Sequence, residues 1–415
     1  MIAMIKDYCT QVDNKSDLFV GVKFIGGKPS VYFPRGYNVS SDEKECRKDI
    51  FRLLSVLNRY PNNKKDGTNA EENQEIITRF PLKSYQYIIQ DFLLHGYYVE
   101  KETHFVAGIR GKINWKRTIQ KEQVQIDNSN PVYLKFQVKT NKVNENNLMT
   151  EIHKYCVYKS FFLFGWLFLS SEYLPQKPSI RFDKILFLNT LRNALKNTFN
   201  DKKKQLFQSM INIIEFEGKM TIDENATIGV DSFEGVWEWL VDFVFGEENK
   251  DKYFPHGQWQ IISKGCIETS SALEPDTIMK HNGKIYILDA KYYYYGVSYY
   301  PGDLPTTSSI QKQITYGKRI DEMKETESPN DIYNAFIMPY KANGNEKWKL
   351  VSVGTVDWEE YTDDTWNYKY VLGLLVDTKY LINTYVRHND TEIEALADMI
   401  EAALEEYKKI IIKGK

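Results

Sequence analysis

A chain of 415 residues, 42% hydrophobic and 27% charged, exceeds one ordinary domain and predicts two or three with a sizeable core. Its most apolar stretch, Phe161–Leu169 (FFLFGWLFL), is too short to span a bilayer, and the opening MIAMIKDYCT lacks the apolar block of a signal peptide. Cys9, Cys46, Cys156 and Cys266 form neither a CxxC pair nor a disulfide pattern, so the expectation is a cytoplasmic protein rather than a membrane protein or a disulfide scaffold. The net charge of −2 conceals an asymmetry: residues 1–225 hold 34 Lys+Arg against 25 Asp+Glu, leaving 20 against 31 for the remainder. A basic half suits phosphate backbones or acidic protein surfaces, and clustered carboxylates suit a hard cation; an imbalance that only sets solubility would look the same.

Asp17–Ile25 and Ser30–Phe33 alternate like strands around Gly26-Gly27-Lys28, a hairpin signal. Ser41–Tyr60 reads as a helix with Ile50, Leu53, Leu54 and Leu57 on one stripe. Pro61–Gln74 reads as a polar loop, Ser84–Leu94 as a helix and Tyr97–Arg110 as a strand. A turn is expected at Asp127–Asn130, a strand at Val132–Val138, and helices over Leu148–Leu169 and Lys184–Ile214. Helical periodicity stops at Thr221–Gly229, which sets the expected division: an α+β region over 1–225 and an α/β domain over 226–415.

In the second region a helix at Ser232–Val244 precedes strands near Trp259–Ile262, Thr277–Lys280 and Lys284–Ala290. A helix at Ser309–Lys324, strands at Tyr333–Pro339, Leu350–Thr355 and Tyr370–Leu375, and a helix at Glu392–Ile412 follow. This order describes a mixed sheet with helices on it. Thr391 and Glu394 read as a capping box for the last helix, and Ser308 and Gln311 as one for the middle helix.

The chemistry concentrates in Glu274–Gly296, EPDTIMKHNGKIYILDAKYYYYG. A turn at His281-Asn282-Gly283 pairs the two strands, and Asn-Gly supplies the positive φ it needs. KIYIL is apolar on both faces, as befits a central strand, and ends in Asp289-Ala290-Lys291. The two-residue period sends Asp289 and Lys291 to one side and Ala290 to the other, while the hairpin returns Asp276 to the same end. Two carboxylates and an ammonium are what metal-dependent phosphodiester hydrolysis asks for: oxygen ligands for Mg²⁺, and a lysine that can orient or help deprotonate the nucleophile and can stabilise charge on the transition state. Asp/Glu-x-Lys alone is a weak signal, recurring at Asp13, Glu217, Glu248 and Asp377 among others, whereas Pro-Asp occurs only at Pro275-Asp276. A salt-bridged surface hairpin would use the same residues, but carboxylates closing a buried strand favour a functional site.

EPDTIM and ILDAKYYYYG resemble the second and third motifs of the PD-(D/E)xK nuclease superfamily, and more narrowly of the McrC and LlaJI-type restriction subunits, most firmly over 230–340. The resemblance implies a restriction-endonuclease-like mixed sheet flanked by helices, Mg²⁺ as cofactor and double-stranded DNA as substrate. It also implies a metal-associated glutamate on the preceding helix, SFEGVWEWLVDFVFG. Glu238 fits the apolar-aromatic-Glu pattern, while Glu234 lies nearer the apolar stripe. On the helix after the third motif it implies an inward glutamine, with Gln313 preferred to Gln311 and Lys312 able to reach phosphate.

Phe105–Ile119, FVAGIRGKINWKRTI, surrounds Trp115 with Arg110, Lys112, Lys116 and Arg117. Such a pattern suits nucleic acid or a charged protein groove, and equally a solvated basic strand pair. It resembles the G-x-I-x-W-x-x-T region of McrC- and LlaJI-like subunits, which implies docking on a separate McrB-like AAA+ GTPase, with Arg110 a candidate contact. The chain has no GxxxxGK[ST] loop, so GTP would be bound by the partner. Neither an HExxH site nor a GxSxG elbow is present. A stand-alone type II restriction enzyme, and a non-catalytic DNA-binding or GTPase-activating scaffold, are the competing readings.

Overall fold

The computed structural model describes residues 5–413 apart from 16–17, 62–75, 78, 128–129, 145–146, 170–172, 219–225, 345, 357–364 and 385–389. The loop expected at Pro61–Gln74, the tip of the turn at Asp127–Asn130 and the start of the boundary at Thr221–Gly229 therefore lie outside the described residues. Among the described residues no helix is long and apolar enough to cross a membrane.

Two compact units form, and they do not follow a single division at residue 225. One joins Met1–Arg79 to Asp223–Lys415; the other is Phe80–Ile222. The reason is a long-range pairing: Thr227–Val230 lies antiparallel to Val20–Ile25, within a five-stranded sheet that also holds Cys9–Gln11, Lys28–Phe33 and Ile76–Ile77. Gly21 and Gly229 face each other in that pairing, and a Cβ on Gly21 would stand 2.1 Å from the Ile228 carbonyl oxygen. Only glycine allows backbones to come this close. Helix Glu43–Arg59 buries Ile50, Leu53, Leu54 and Leu57, its N-terminus capped by the Asp42 carboxylate.

The elements around Asp276, Asp289 and Lys291 are numbered from the helix before them: α1 (Glu234–Phe245), β1 (Thr277–His281), β2 (Lys284–Ala290), α2 (Thr307–Met323), β3 (Ile332–Tyr340), β4 (Trp348–Gly354), β5 (Val371–Asp377) and α3 (Asp390–Lys413). The strand order is β1-β2-β3-β5-β4, with β2, β3 and β5 parallel and the two edges antiparallel. Asn282 and Gly283 take φ of 48° and 77° at the β1–β2 turn, the left-handed pair a two-residue hairpin requires. The three parallel strands are buried residue after residue, save the first residue of β2, as expected where helices cover both faces. Ile285 and Ile287 pack with Tyr316 and Ile320 of α2. Tyr286, on the opposite face, donates its hydroxyl hydrogen to Glu401 of α3.

Several elements differ from expectation. The segment Val132–Val138 is broken into the end of one strand and the start of another, Asn130–Tyr133 and Phe136–Asn144. Lys184–Ile214 is two helices, Lys184–Lys196 and Asp201–Glu217, the second capped by Asn200. Ser308 lies inside the first turn of α2, whose N-cap is Thr306 without a side-chain cap, so the Ser308–Gln311 capping box does not form. Strand Cys266–Ala272 and helix Thr378–Thr384 were not expected.

The second unit packs helices Leu82–His95, Leu148–Phe168, Lys184–Lys196 and Asp201–Glu217 around aromatic contacts such as Tyr85–Phe164. It also carries a three-stranded sheet of Glu100–Gly108, Phe136–Asn144 and Lys112–Ile113, with helix Trp115–Lys121 beside it.

Candidate active site

Each chemical group sits at an element end for a local reason. β2 is an apolar strand that runs out at Asp289, and its parallel register with β3 extends through Asp289↔Phe336 and Ala290↔Ile337. The Lys291 amide then donates to the Ile337 carbonyl oxygen, which carries the extended path one residue past the strand. Asp276 stands just before β1, where its Oδ2 accepts the Ala290 amide at 2.9 Å. That bond returns the first carboxylate to the end of β2 that carries the second.

Asp289 is 3% exposed, and Lys291 Nζ lies 2.7 Å from its Oδ2. Its Oδ1 has no hydrogen-bond partner. A buried carboxylate oxygen without a partner costs free energy unless a cation or donor meets it. Burial, then the neighbouring Asp289 charge, pushes the Asp276 carboxyl up to about 8. Burial of the Lys291 amine works to lower its pKa, but the Asp289 and Asp276 carboxylates outweigh it and hold the group above the ordinary lysine value. Lys291 is therefore an ammonium, suited to stabilising negative charge rather than to accepting a proton.

The helix glutamates separate clearly. Glu234 is exposed; Glu238 is half-buried. Burial, then Glu234, raises the Glu238 pKa, and Lys291, Asp289 and Lys312 all act on it. Among the described residues, however, no three His, Cys, Asp or Glu side chains form a group that could hold a metal ion. Glu238 thus borders the Asp276–Asp289 pair without completing a protein cage. Gln313 is 1% exposed on α2, and neither of its amide atoms has a partner. Asn334 on β3 fixes its backbone by donating to the Gln313 carbonyl oxygen at 3.1 Å. Gln311 and Lys312 are exposed.

Tyr316 was not foreseen. Its side chain is buried and its hydroxyl lacks a partner; burial, followed by the Asp289 and Asp276 charges, raises its pKa. The available signal was its position, one helical turn beyond Gln313 on the same face. Arg35 was also missed. Its side chain is 4% exposed, Nη1 donates to the Tyr292 carbonyl oxygen at 2.8 Å, and its amide donates to the Tyr292 hydroxyl at 2.6 Å. It thereby grips the residue following Lys291.

A divalent cation fits these groups in one respect: Mg²⁺ takes one or two carboxylates and keeps waters for its remaining positions. Asp276 and Asp289, with the unpartnered Asp289 oxygen, form such a pair.

The basic motif of the second unit forms a separate surface. Arg110, Lys112, Trp115, Lys116 and Arg117 are all exposed. Trp115 packs edge-on against Phe136, and the Arg117 guanidinium lies 4.2 Å from the Phe105 ring centroid. Thr118 is structural: buried, it accepts the Gln137 amide at 2.9 Å.

Comparison with known proteins gives three findings. The family model described as LlaJI restriction endonuclease matches residues 19–363. The Type II restriction enzyme BsuMI component YdjA of Bacillus subtilis is 26% identical over 379 residues, covering 84% of this chain and 77% of that protein. Among solved structures, a half-complex of Thermococcus gammatolerans McrB AAA+ hexamers with bound McrC aligns over 92% of this chain and 83% of that one, at 14% identity and a TM-score of 0.36. A superposition that loose does not establish a common fold.

Proposed function

Because the chain belongs to the LlaJI restriction endonuclease family, we propose that it is the Mg²⁺-dependent DNA-cleaving subunit of a restriction system, with Asp276, Asp289 and Lys291 at its PD-(D/E)xK centre. The observation that carries the reading is the unpartnered oxygen of buried Asp289 beside the Lys291 ammonium, at the end of a central strand that also receives Asp276. Asp49 and Glu217 also pair one buried oxygen with a lysine and leave the other without a hydrogen-bond partner; what sets Asp289 apart is the second carboxylate, Asp276, brought to the same strand end.

A divalent cation held by Asp276 and Asp289 supplies Lewis-acid polarisation of the scissile phosphate. The chain's own groups do the rest. Lys291 places a fixed positive charge where the phosphorane oxygens gain negative charge. Gln313 offers both a donor and an acceptor for orienting water or phosphate. Glu238, its pKa raised, is placed to receive a proton. Lys312 supplies positive charge from the adjoining turn of α2.

The partner in this proposal is an McrB-like AAA+ GTPase. With no phosphate loop of its own, the chain depends on such a subunit for any GTP-driven step, and the exposed Arg110–Arg117 surface offers a site for it or for DNA. The cytoplasm is the matching location. A type II enzyme independent of nucleotide has one observation in its favour, the type II description of the Bacillus relative. Incubating duplex DNA and Mg²⁺ with the chain alone, and with an AAA+ GTPase encoded beside it plus GTP, separates the two. Cleavage only in the complete mixture is expected. Equal cleavage by the chain alone selects the type II reading, and none in either mixture selects a non-catalytic scaffold.

A further inference from the structure

Between α1 and Asp276 the chain leaves the central sheet as a two-stranded ribbon, His256–Ile261 paired antiparallel with Cys266–Ala272. Among the described residues the ribbon has no further sheet partner, and its strand residues are exposed apart from the half-buried Ile261, Cys266, Ser270 and Ala272. It carries large apolar side chains that a solvated hairpin has no use for: Trp259 is 71% exposed, Ile267 65% and Ile262, at the tip, 93%. The pairing of Gln260 with Ile267 puts Ile267 on the ribbon face of Gln258 and Thr269, while Trp259, opposite Glu268, stands on the other face; exposed apolar side chains on a projecting element mark a surface that something covers.

The ribbon and α2 enclose a cleft of about 610 Å³. From the ribbon, His256, Gln258 and Thr269 line it; from α2 come Thr315, Lys318 and Arg319, with Glu322 the only acidic side chain in the lining. The Arg319 Nε is buried without a partner, and among the described residues neither Lys318 nor Arg319 forms an ion pair. Cations with amide, hydroxyl and imidazole groups are the set that meets phosphate oxygens and base edges. In the chain the cleft adjoins the candidate site on both sides: the ribbon ends four residues before Asp276, and α2 carries Gln313 about one and a half turns before Lys318 and Arg319.

We propose that the ribbon and the Lys318–Arg319 edge of α2 form a DNA-binding cleft that holds the duplex beside the scissile phosphate. A two-stranded ribbon has the dimensions to enter a major groove. Lys318 and Arg319 neutralise phosphates, and Ile267, on the ribbon face of Gln258 and Thr269, packs on sugars or bases together with Ile262 at the tip. The proposal rests on the nuclease reading for its substrate, but its test does not depend on cleavage.

The test is fluorescence anisotropy of a labelled duplex with the full chain carrying Asp289→Ala, at several salt concentrations. Adding Lys318→Ala and Arg319→Ala together is expected to weaken binding about tenfold or more and to reduce the log–log salt slope by about one per cation removed. Ile267→Ala, on the ribbon face that lines the cleft, is expected to weaken it several-fold with little change in that slope. Lys318 and Ile267 are exposed and Arg319 is partly buried, so unchanged melting temperatures serve as the folding control, and Lys318→Ala alone keeps the test should the Arg319 variant melt lower. Affinity and slope unchanged in the double variant overturn the proposal. So does loss of binding to a partner protein with DNA affinity intact, which makes the ribbon a protein-docking element. Cleavage persisting in Asp289→Ala would remove Asp289 from the catalytic centre and leave the binding result standing.

Discussion

At the scale of single residues, Asp276 makes the tension in the site measurable. Its carboxyl, raised to about 8 by burial and by Asp289, keeps its proton in the folded, metal-free protein at pH values where the unfolded chain has released it. Unfolding therefore releases a proton between roughly pH 4 and 8, and the group's contribution to stability is lost as pH rises through that window. Asp276→Asn, which keeps an acceptor for the Ala290 amide, is expected to raise the melting temperature of the metal-free protein at pH 8 and to flatten its dependence on pH. Mg²⁺ or Mn²⁺ should restore stability to the wild type at pH 8 and do little for the variant. Thermal unfolding across pH, with and without metal, checks both, and a variant that melts below the wild type at pH 8 would show that Asp276 is not under this strain. The core of the site was legible at this scale because a strand's period of two and an Asn-Gly turn fix where Asp276, Asp289 and Lys291 go. The preference for Glu238 over Glu234 came from a family pattern that helix periodicity opposed; the structure leaves Glu234 exposed and Glu238 half-buried. Tyr316 escaped notice because a tyrosine among apolar residues on a helix reads as core packing, and only the unpartnered hydroxyl distinguishes it.

At the scale of elements, the segment after β2 depends on a residue far away in sequence. Arg35 follows strand Lys28–Phe33, and its guanidinium lies 4.9 Å and 5.1 Å from the ring centroids of Tyr292 and Tyr294. Thr378 in turn donates to the Arg35 carbonyl oxygen at 2.8 Å. Arg35→Ala removes a charge-assisted bond to the Tyr292 carbonyl and leaves buried groups unpaired, which is expected to cost about 2–3 kcal/mol. Because the affected backbone adjoins Lys291, cleavage should fall further than the loss of stability alone explains. Urea denaturation and a cleavage time course measure the two effects, and an unchanged unfolding midpoint would show that this contact does not hold the segment. The central strands were readable because burial on both faces writes a continuous apolar run, as in KIYIL. The ribbon's second strand was not: CIETSSA is polar, short and exposed, so it lacks the alternation that one buried face produces. The helical stretch from Lys184 was read as one piece because its apolar spacing continues across the break; Asn200, which caps the second helix, was the signal there.

At the scale of the whole molecule, the change of texture near residue 225 was visible, but the grouping of Met1–Arg79 with Asp223–Lys415 was not. A pairing between Val20–Ile25 and Thr227–Val230 leaves no mark within either segment beyond a glycine in each. The first 79 residues thus belong with the candidate nuclease sheet, and Arg35 is the residue through which they meet it next to Lys291. The inserted unit Phe80–Ile222 carries the exposed basic surface around Trp115. One chain therefore carries the carboxylate pair in one unit and a surface suited to a partner or DNA in another, as befits a family of restriction endonucleases. The most direct test of the account is the rate of duplex DNA cleavage by the full chain with the proposed AAA+ GTPase partner, GTP and Mg²⁺, comparing wild type with Asp289→Ala and Lys291→Ala. Both variants should fold, bind the partner, and cleave at least about 10²-fold more slowly; cleavage by either at the wild-type rate would contradict the assignment of the site.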